Sequence, residues 1–366
     1  MNPAEQYFDF KQYTLAGSEK EKLLAKELSG LTRFHFENCT PYKNILHNLK
    51  VNEEFDFSAV EEIPFIPVRL FKTQKIQSIP DGEVLKYLTS SGTTGQQVAR
   101  IALNKETSLL QVKALASIIT SYIGTKRLPM IIIDSEATIK NKASLSARGA
   151  GLVGLSNFGR NHFFALDENM KLKAGELMDF LNKYKEETLL IFGFTFMVWQ
   201  YFYKRLNELN LKPDLGRAVL IHSGGWKKLE EQAVSNEAFK RGLLDNFNIK
   251  SVYNFYGMVE QVGSIFMECE KEYLHTPNFA EIIIRDFNTW EILPRGETGV
   301  IQTLSILPRS YPGHSLLTED LGTIVGKDNC GCGRKGTYFL VSGRVPKAEL
   351  RGCSDTHAES VMMKEG

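Results

Sequence analysis

The feature that most constrains the fold is a repeated alternation of amphipathic helices with short apolar strands between residues 104 and 256. The spacing predicts helices over residues 104–122, 175–184, 195–209 and 229–247, and strands over residues 130–133, 189–192, 218–222 and 252–256. Strands separated by such helices pair in parallel through right-handed crossovers. We therefore predict an α/β fold whose ligands bind beyond the carboxyl ends of the strands.

The segments that flank this alternation have different hydrophobic patterns. Residues 5–42 have a helical apolar pattern, whereas short β-rich segments begin near residue 263. The β-rich segments cover residues 281–285, 290–293, 299–304 and 337–341. We therefore predict an N-terminal helical segment plus α/β core over residues 1–262, a smaller β-rich subdomain over residues 263–345, and a short tail over residues 346–366.

Composition excludes several classes of protein. The 366 residues carry a net charge of +1 and no long basic run, which argues against a nucleic-acid surface or a polybasic membrane anchor. The N-terminus has neither a basic stretch nor an apolar core of a signal peptide, so we expect a cytoplasmic protein without a membrane span. Five cysteines, an odd number, favour metal ligation or a reactive thiol over a disulfide framework.

A loop of small residues follows the strand-like segment 87–89. Its members are Ser90, Ser91, Gly92, Thr93, Thr94 and Gly95. The glycines let backbone N–H groups turn inward, and the hydroxyls add donors around the same anion. An ordinary polar loop is the alternative, but six consecutive small residues after an apolar strand favour phosphate binding. The loop is not a Walker P-loop, because no Gly-Lys-Ser/Thr follows it.

Two predicted strand ends carry further candidates. At Gly224 and Gly225 the absent side chains would let a flat base approach the backbone, although a tight turn explains the glycines equally well. In the segment Tyr256-Gly257-Met258-Val259-Glu260, a carboxylate just past a strand end is well placed to hold Mg²⁺ against nucleotide phosphates. Taken alone, Glu260 would more often be a solvated surface residue.

These motifs together resemble the adenylate-forming superfamily. The small-residue loop, Tyr256-Gly257-x-x-Glu260, Asp320 before Leu321-Gly322, and Gly343-Arg344 stand in that family's order, although Gln96-Gln97 replaces the Pro-Lys of many members. The resemblance implies ATP-dependent activation of a carboxylic acid with Mg²⁺. It also implies that Tyr256 and Gly257 contact the nucleotide, Glu260 holds Mg²⁺, Asp320 accepts the ribose hydroxyls, and Arg344 contacts ribose or phosphate.

Four further segments resemble the LuxE family of acyl-protein synthetases. They are Leu31-Thr32-Arg33-Phe34-His35 with Cys39-x-x-Tyr42, residues 146–151, Tyr311-Pro312-Gly313-His314-Ser315, and residues 350–356. The resemblance implies a long-chain fatty acid ligase of the bacterial bioluminescence fatty acid reductase system, with an acyl-CoA reductase-like partner. Since the chain ends soon after Arg344, we expect no mobile C-terminal domain with its adenylation lysine. Lys347 or a residue of the partner would then serve.

The same resemblance implies that the acyl group passes to a cysteine near the C-terminus. Cys353 is the cysteine of that region, and its surroundings suit the role. Arg351 and His357 would lower the pKa of its thiol, while Gly352 leaves the sulfur accessible. Without the resemblance, a passive tail thiol would be the preferred interpretation.

A second cysteine group suggests a structural metal. Cys269, His275 and the Cys330-Gly331-Cys332 turn offer three thiolates and one imidazole, which satisfy a closed tetrahedral zinc site. Related phenylacetate-CoA ligase-like proteins carry a similar arrangement. Reduced cysteines without a metal are the alternative, because Cys-x-Cys is tighter than the usual spacing.

The sequence leaves two other functions open. A phenylacetate-CoA ligase-like acyl- or aryl-CoA ligase would share the adenylation half-reaction but release a CoA thioester. A catalytically degenerate scaffold for an acyl-CoA reductase would bind without turnover, and the absent lysines favour it.

Overall fold

The computed structural model describes residues 5–90, 98–140, 147–226, 233–261 and 263–345. The chain forms two compact units, one comprising the described residues up to Ile118 and from Gly257 onward, the other comprising Ile119–Tyr256. The structure confirms the α/β class with a parallel-rich sheet. The domain division predicted from the sequence, with breaks after residues 262 and 345, stays a prediction.

Helices and strands alternate through the middle of the chain, and strands predominate after it. The described helices are α1 (Gln6–Asp9), α2 (Gly17–Asn38), α3 (Thr40–Asn48), α4 (Leu70–Thr73), α5 (Lys105–Ile123), α6 (Ala137–Lys140), α7 (Ala147–Ser156), α8 (Ala174–Lys183), α9 (Thr195–Met197), α10 (Lys204–Glu208) and α11 (Asn236–Phe247). The described strands are β1 (Ile66–Pro67), β2 (Lys86–Thr89), β3 (Arg100–Leu103), β4 (Leu128–Ser135), β5 (Gly159–Leu166), β6 (Leu189–Phe194), β7 (Ala218–Ser223), β8 (Ser251–Tyr256), β9 (Phe266–Glu268), β10 (Leu274–His275), β11 (Ala280–Arg285), β12 (Thr298–Ser305), β13 (Ser315–Lys327) and β14 (Thr337–Arg344).

The unit formed by Ile119–Tyr256 is a parallel sheet in the order β8-β7-β6-β4-β5. The four strands predicted from the alternation are β4, β6, β7 and β8, and all of them pair in parallel. Helix α11 begins at Asn236 rather than near residue 229, because the Ser235 hydroxyl caps it by accepting a hydrogen bond from the Ala238 N–H. A π-helical segment, Val198–Tyr203, joins α9 to α10.

The other unit holds an antiparallel sheet in the order β11-β12-β13-β14-β10-β9, and the separate hairpin β2-β3. The predicted β-rich segments correspond to β11, β12 and β14, but residues 290–293 do not form a strand. There, Ile292 makes only an isolated bridge to Arg285. Strand β1 lies far away in sequence yet pairs in parallel with β13, through Ile66 with Leu316.

The N-terminal helical pattern is confirmed as α1, α2 and α3. Helix α2 buries Leu24, Leu28 and Leu31, which recur at helical spacing and share one face. On the same helix, Lys20 is buried and forms an ion pair of 3.2 Å with Glu281 of β11. Helix α2 therefore docks on the sheet through both an apolar stripe and a buried charge pair.

Among the described residues, none of the helices is both long and apolar enough to cross a membrane.

Candidate active site

Strands β13 and β14 bring Asp320 and Arg344 together. The two residues are direct partners in the antiparallel register. The Arg344 guanidinium lies 3.3 Å from Asp320 Oδ1 and 3.2 Å from Glu319 Oε2, so it bridges two neighbouring carboxylates. The other carboxylate oxygen of Glu319, Oε1, lies 3.5 Å from Arg69 Nε. The sequence motifs identified Asp320 and Arg344, whereas Glu319 and Arg69 were missed as site residues.

Local backbone features hold this carboxylate pair in place. Thr318 donates its hydroxyl to the Ile301 carbonyl at 2.8 Å and accepts the Asp320 N–H at 3.1 Å. The register shifts between Leu321 and Gly322, where a Cβ on the glycine would lie only 2.8 Å from the Leu340 carbonyl oxygen. Gly322 therefore permits a close approach that another residue would block.

Glu260 lies in a 3-10 turn, Val259–Gln261, and its side chain is buried. The pKa of its carboxyl group is raised to about 7, mainly by burial and also by the charges of Glu319 and Asp320, while Lys72 opposes the shift. Glu260 is thus within electrostatic reach of the same charged cluster. A carboxyl group in these surroundings needs a cation to be fully ionised at neutral pH, which fits the predicted magnesium ligand.

Arg69 and Lys72, which the sequence did not identify as site residues, lie on a short segment that pairs with β13. Strand β1 pairs with β13, and the Val68 N–H continues the pairing by donating to the Leu317 carbonyl at 2.9 Å. Helix α4 begins immediately afterwards and carries Lys72. No local pattern could have revealed this placement, because it depends on contacts between segments about 250 residues apart in the chain.

The small-residue loop is described only at its first residue. Ser90 follows β2, donates its N–H to the Ala99 carbonyl at 3.1 Å, and accepts the Ala99 N–H on its hydroxyl at 2.9 Å. These two bonds join the base of the loop to the chain that returns as β3. Ser91, Gly92, Thr93, Thr94 and Gly95 lie outside the described residues, so their predicted phosphate contacts stay a prediction.

Gly224, Gly225 and Tyr256 lie in the unit of parallel strands, at the carboxyl ends of β7 and β8. Gly224 has φ +82°, and a Cβ there would lie 3.3 Å from the Phe194 ring. This left-handed geometry favours glycine whether the turn is structural or binds a base. Gly257 follows Tyr256 in the chain. The predicted nucleotide contacts of these four residues stay predictions.

The four predicted metal ligands do converge. The side-chain ligand atoms of Cys269, His275, Cys330 and Cys332 all lie within 4.8 Å of one another. Cys269 Sγ is 3.8 Å from Cys330 Sγ, and Cys332 Sγ is 3.4 Å from His275 Nε2. Burial lowers the pKa of His275 to about 4, so the imidazole is neutral and available as a ligand. Three sulfurs and one nitrogen at this spacing fit tetrahedral zinc.

The predicted acyl acceptor, Cys353, lies outside the described residues, as does Lys347. Their roles therefore stay predictions based on the sequence.

The family described as "Acyl-protein synthetase, LuxE" matches residues 4–362. A long-chain-fatty-acid–luciferin-component ligase from Vibrio harveyi is 22% identical over 363 residues, covering 94% of this chain and 90% of that protein. A ligase of the same name from Aliivibrio fischeri is 22% identical over 326 residues, covering 84% of this chain and 80% of its own.

Solved structures show the same fold. An open conformation of 2-hydroxyisobutyryl-CoA ligase, in complex with 2-HIB-AMP and CoA, matches with a TM-score of 0.70 at 15% identity, covering 91% of this chain and 77% of that one. The same ligase in its postadenylation state with 2-HIB-AMP has a TM-score of 0.69, again at 15% identity, covering 91% and 69%. The fold is therefore that of an adenylate-forming ligase.

Proposed function

The chain belongs to the LuxE family of acyl-protein synthetases, and on that premise we propose that it adenylates a long-chain fatty acid with ATP and passes the acyl group to its own Cys353. The observation that best supports the adenylation half-reaction is the cluster of charged side chains formed by Arg69, Glu319, Asp320 and Arg344. Asp320 and Arg344 are paired across two strands, and the carboxyl group of Glu260 lies within electrostatic reach of them. The buried Glu260 carboxyl group can ligate a cation, while Asp320 and Arg344 can bind the hydroxyl and phosphate groups of a nucleotide.

In the first step, an oxygen of the fatty acid carboxylate attacks the α-phosphorus of ATP. A C–O–P linkage forms, and the bond from the α-phosphorus to the leaving pyrophosphate breaks. Asp320 accepts hydrogen bonds from the ribose hydroxyls, and Arg344 balances negative charge on ribose-linked phosphate. Bound Mg²⁺, held by Glu260, would neutralise phosphate charge.

In the second step, the Cys353 thiolate attacks the acyl carbon. The carbon–sulfur bond forms, the bond from the acyl carbon to AMP breaks, and AMP leaves with the electron pair. Arg351 and His357, close in sequence, would favour the thiolate over the thiol. We propose that the thioester is then delivered to an acyl-CoA reductase-like partner, which consumes it. The cytoplasmic location predicted from the sequence belongs to the same proposal.

The transfer is tested by labelling the protein with radioactive fatty acid in the presence of ATP and Mg²⁺. We expect label on the protein that hydroxylamine releases, and no stable label on the variant Cys353→Ser. Cys39→Ser is the matched control, because Cys39 is buried and cannot reach an acyl-AMP without unfolding. Label that persists on Cys353→Ser would refute the assignment of the acceptor.

The adenylation half is tested separately by fatty-acid-dependent exchange of labelled pyrophosphate into ATP. Cys353→Ser should exchange at the normal rate, because the thiol acts after acyl-AMP forms. A catalytically degenerate scaffold would show no exchange at all. A free CoA ligase would instead show exchange together with CoA-dependent release of an acyl thioester from Cys353→Ser.

We further propose that Cys269, His275, Cys330 and Cys332 hold a structural zinc ion. Support comes from the clustering of their ligand atoms within 4.8 Å of one another and from burial of His275, which lowers its pKa to about 4 and keeps the imidazole neutral. The ion would join the β9-β10 hairpin to the turn that precedes β14.

Metal analysis of the purified protein tests this site. We expect about one zinc per chain, the content of a closed four-ligand site. Cys332→Ser should lose most of the zinc, whereas Cys39→Ala, which removes a cysteine outside the cluster, should keep it. Protein that holds no zinc and takes up none on addition would rule the site out.

A further inference from the structure

The segment from Pro308 to His314 connects Glu260 to the N-terminal helices. The Tyr311 hydroxyl donates to the Glu260 backbone carbonyl at 2.9 Å. The next residue, Gln261, donates its amide N–H groups to the Gly313 carbonyl at 2.9 Å and the Thr303 carbonyl at 3.1 Å. The 3-10 turn that carries Glu260 is thus held by hydrogen bonds from both sides.

Gly313 is required for this close contact. A Cβ at this position would lie 2.9 Å from the Glu260 carbonyl oxygen and 2.2 Å from the Tyr311 ring. Even the smallest side chain would push these groups apart. The absence of a side chain at Gly313 therefore sets the distance between the segment and the turn.

The other end of the segment is anchored by two stacked histidines. The rings of His35 and His314 lie 5.0 Å apart at an interplanar angle of 21°, and both side chains are completely buried. His35 Nε2 lies 3.1 Å from the Pro308 carbonyl, and its Nδ1 lies 2.7 Å from the Ser78 hydroxyl. Because a carbonyl only accepts, His35 carries its proton on Nε2 and accepts the hydroxyl proton of Ser78 on Nδ1.

The tautomer of His314 follows in the same way. Thr32 donates its hydroxyl to the Leu28 carbonyl at 2.8 Å, so its oxygen accepts from His314 Nε2 at 3.0 Å. Tyr42 OH lies 3.4 Å from the same nitrogen. Burial lowers the pKa of both rings, so the pair is neutral. His35 joins α2 to the segment at Pro308, and His314 joins the segment to Thr32 of α2 and lies beside Tyr42 of α3.

We propose that Tyr311 and Gly313 are positioning residues for Glu260, and that the buried His35–His314 pair anchors their segment. The proposal deepens the proposed function, because it rests on Glu260 as the magnesium ligand of the adenylation site. Replacing both partners of a buried neutral hydrogen bond by apolar groups of the same shape is often nearly neutral, so stability alone does not explain this polar segment. Orientation of the Glu260 carboxyl group does give a reason, because the hydrogen bonds at the Glu260 carbonyl and the Gln261 amide fix the backbone from which that side chain projects.

Two measurements test the proposal: binding of Mg²⁺ to the protein with fatty acid and a non-hydrolysable ATP analogue, followed by titration calorimetry, and pyrophosphate exchange over a range of Mg²⁺ concentrations. Tyr311→Phe keeps the ring and removes the hydroxyl that holds the Glu260 carbonyl. We expect the Mg²⁺ concentration for half-maximal exchange to rise about 10-fold, the lower end of the range for groups that orient a metal ligand, because Tyr311 acts through the Glu260 backbone. The KM for the fatty acid should stay within about two-fold, because Tyr311 is not proposed to touch that substrate.

Tyr203→Phe is the matched control. It also removes one tyrosine hydroxyl from a hydrogen bond, here with Asn246 at 3.3 Å, but in the unit of parallel strands. It should leave the Mg²⁺ dependence unchanged. Gly313→Ala should behave like Tyr311→Phe with a larger effect, provided that it folds.

Failure of this proposal is distinguishable from failure of the proposed function. Glu260→Gln should abolish exchange at every attainable Mg²⁺ concentration. If Glu260→Gln exchanges normally, the magnesium role of Glu260 is wrong and the positioning proposal falls with it. If Glu260→Gln is inactive while Tyr311→Phe retains the normal Mg²⁺ dependence, only the positioning proposal is overturned.

Discussion

At the scale of single residues, the site is organised by charge compensation. Arg344 is exposed yet bridges Glu319 and Asp320, while Arg69 approaches Glu319 from the other side. Exposed ion pairs of this kind contribute little to folding, about 0–1 kcal/mol each. Their alignment beside the buried Glu260 is better explained by ligand binding than by stability.

Replacing Arg344 separates these two explanations. Arg344→Gln removes the cation shared by both carboxylates, so we expect the KM for ATP to rise about ten-fold, equivalent to one charge-assisted hydrogen bond. The free energy of unfolding should change by less than about 0.5 kcal/mol, because the side chain is mostly exposed. Both quantities are measured on the same preparations, by kinetics and by urea unfolding.

Arg241→Gln provides the comparison. Arg241 is also exposed and forms an ion pair with Glu237 on the same helix, α11, and it belongs to none of the site motifs. Its replacement should alter neither the KM for ATP nor the stability appreciably. An Arg344→Gln enzyme with an unchanged KM for ATP would show that the cluster does not contact the nucleotide.

At the scale of secondary-structure elements, helix α2 is joined to the antiparallel sheet by a buried ion pair. Lys20 and Glu281 are 1% and 3% exposed at their side chains. Lys20 also donates to the Thr276 hydroxyl at 2.6 Å. Two charges buried away from water are stable only while they compensate each other. The pair therefore makes the docking of α2 specific.

Removing one partner should therefore be costly. Lys20→Met leaves Glu281 buried without its cation, and we expect the free energy of unfolding to fall by about 3–5 kcal/mol. The double variant Lys20→Met/Glu281→Leu should recover most of that loss, because the site then becomes apolar. Lys327→Met is the control, since its ion pair with Glu21 is partly exposed and should cost about 1 kcal/mol or less.

Urea unfolding of the four proteins measures these differences. The double variant is the decisive one. If it is no more stable than Lys20→Met, the buried pair is not what makes the single replacement costly.

At the scale of the whole molecule, the predictable parts are those with a local periodic signal. The apolar runs of β4, β6, β7 and β8 alternate with helices, and these strands were predicted correctly. Strand β5 was missed because Asn161 and His162 are exposed and interrupt its apolar pattern. Strand β13 was missed because Glu319 and Asp320 interrupt it where the register also shifts.

The candidate site was predictable where residue types that suit a known chemistry stand in short motifs. Glu260, Asp320 and Arg344 belong to ordered motifs, and the zinc-type cluster was predicted from three cysteines and a histidine in two short segments. The placement of Arg69 depends instead on the pairing of β1 with β13, which no local pattern specifies. Stacking of His35 on His314, 279 residues apart in the chain, is equally non-local.

The buried histidines have one consequence for the whole protein, a sensitivity to acid. Burial lowers the pKa of His35 and of His222 to about 3, and it lowers the pKa of His314 as well. In the unfolded chain these imidazoles titrate near 6.5. Below that pH the unfolded state therefore binds more protons than the folded state, so the stability falls as the pH falls.

Glu260 acts in the opposite direction. Its pKa of about 7 in the folded protein lies above the ordinary value of 4.5, so in this range the folded state binds the extra proton. His275, whose pKa burial lowers to about 4, is a fourth imidazole of this kind. Four imidazoles against one carboxyl group leave about three protons in favour of the unfolded state. In magnesium-free buffer we expect the free energy of unfolding to fall by roughly 4 kcal/mol per pH unit between about pH 6 and pH 5, about 1.4 kcal/mol for each proton.

Urea unfolding at several pH values measures this slope. His222→Gln should make it shallower by about 1.4 kcal/mol per pH unit, the linkage of one proton, because His222 is buried behind Thr195 and Phe239. His47→Gln, which replaces an exposed histidine, is the control and should retain the slope of the unmodified protein. Stability that stays constant from pH 6.5 to pH 5 would contradict the neutral, buried state of these imidazoles, and with it the tautomers that join His35 to Pro308 and His314 to Thr32.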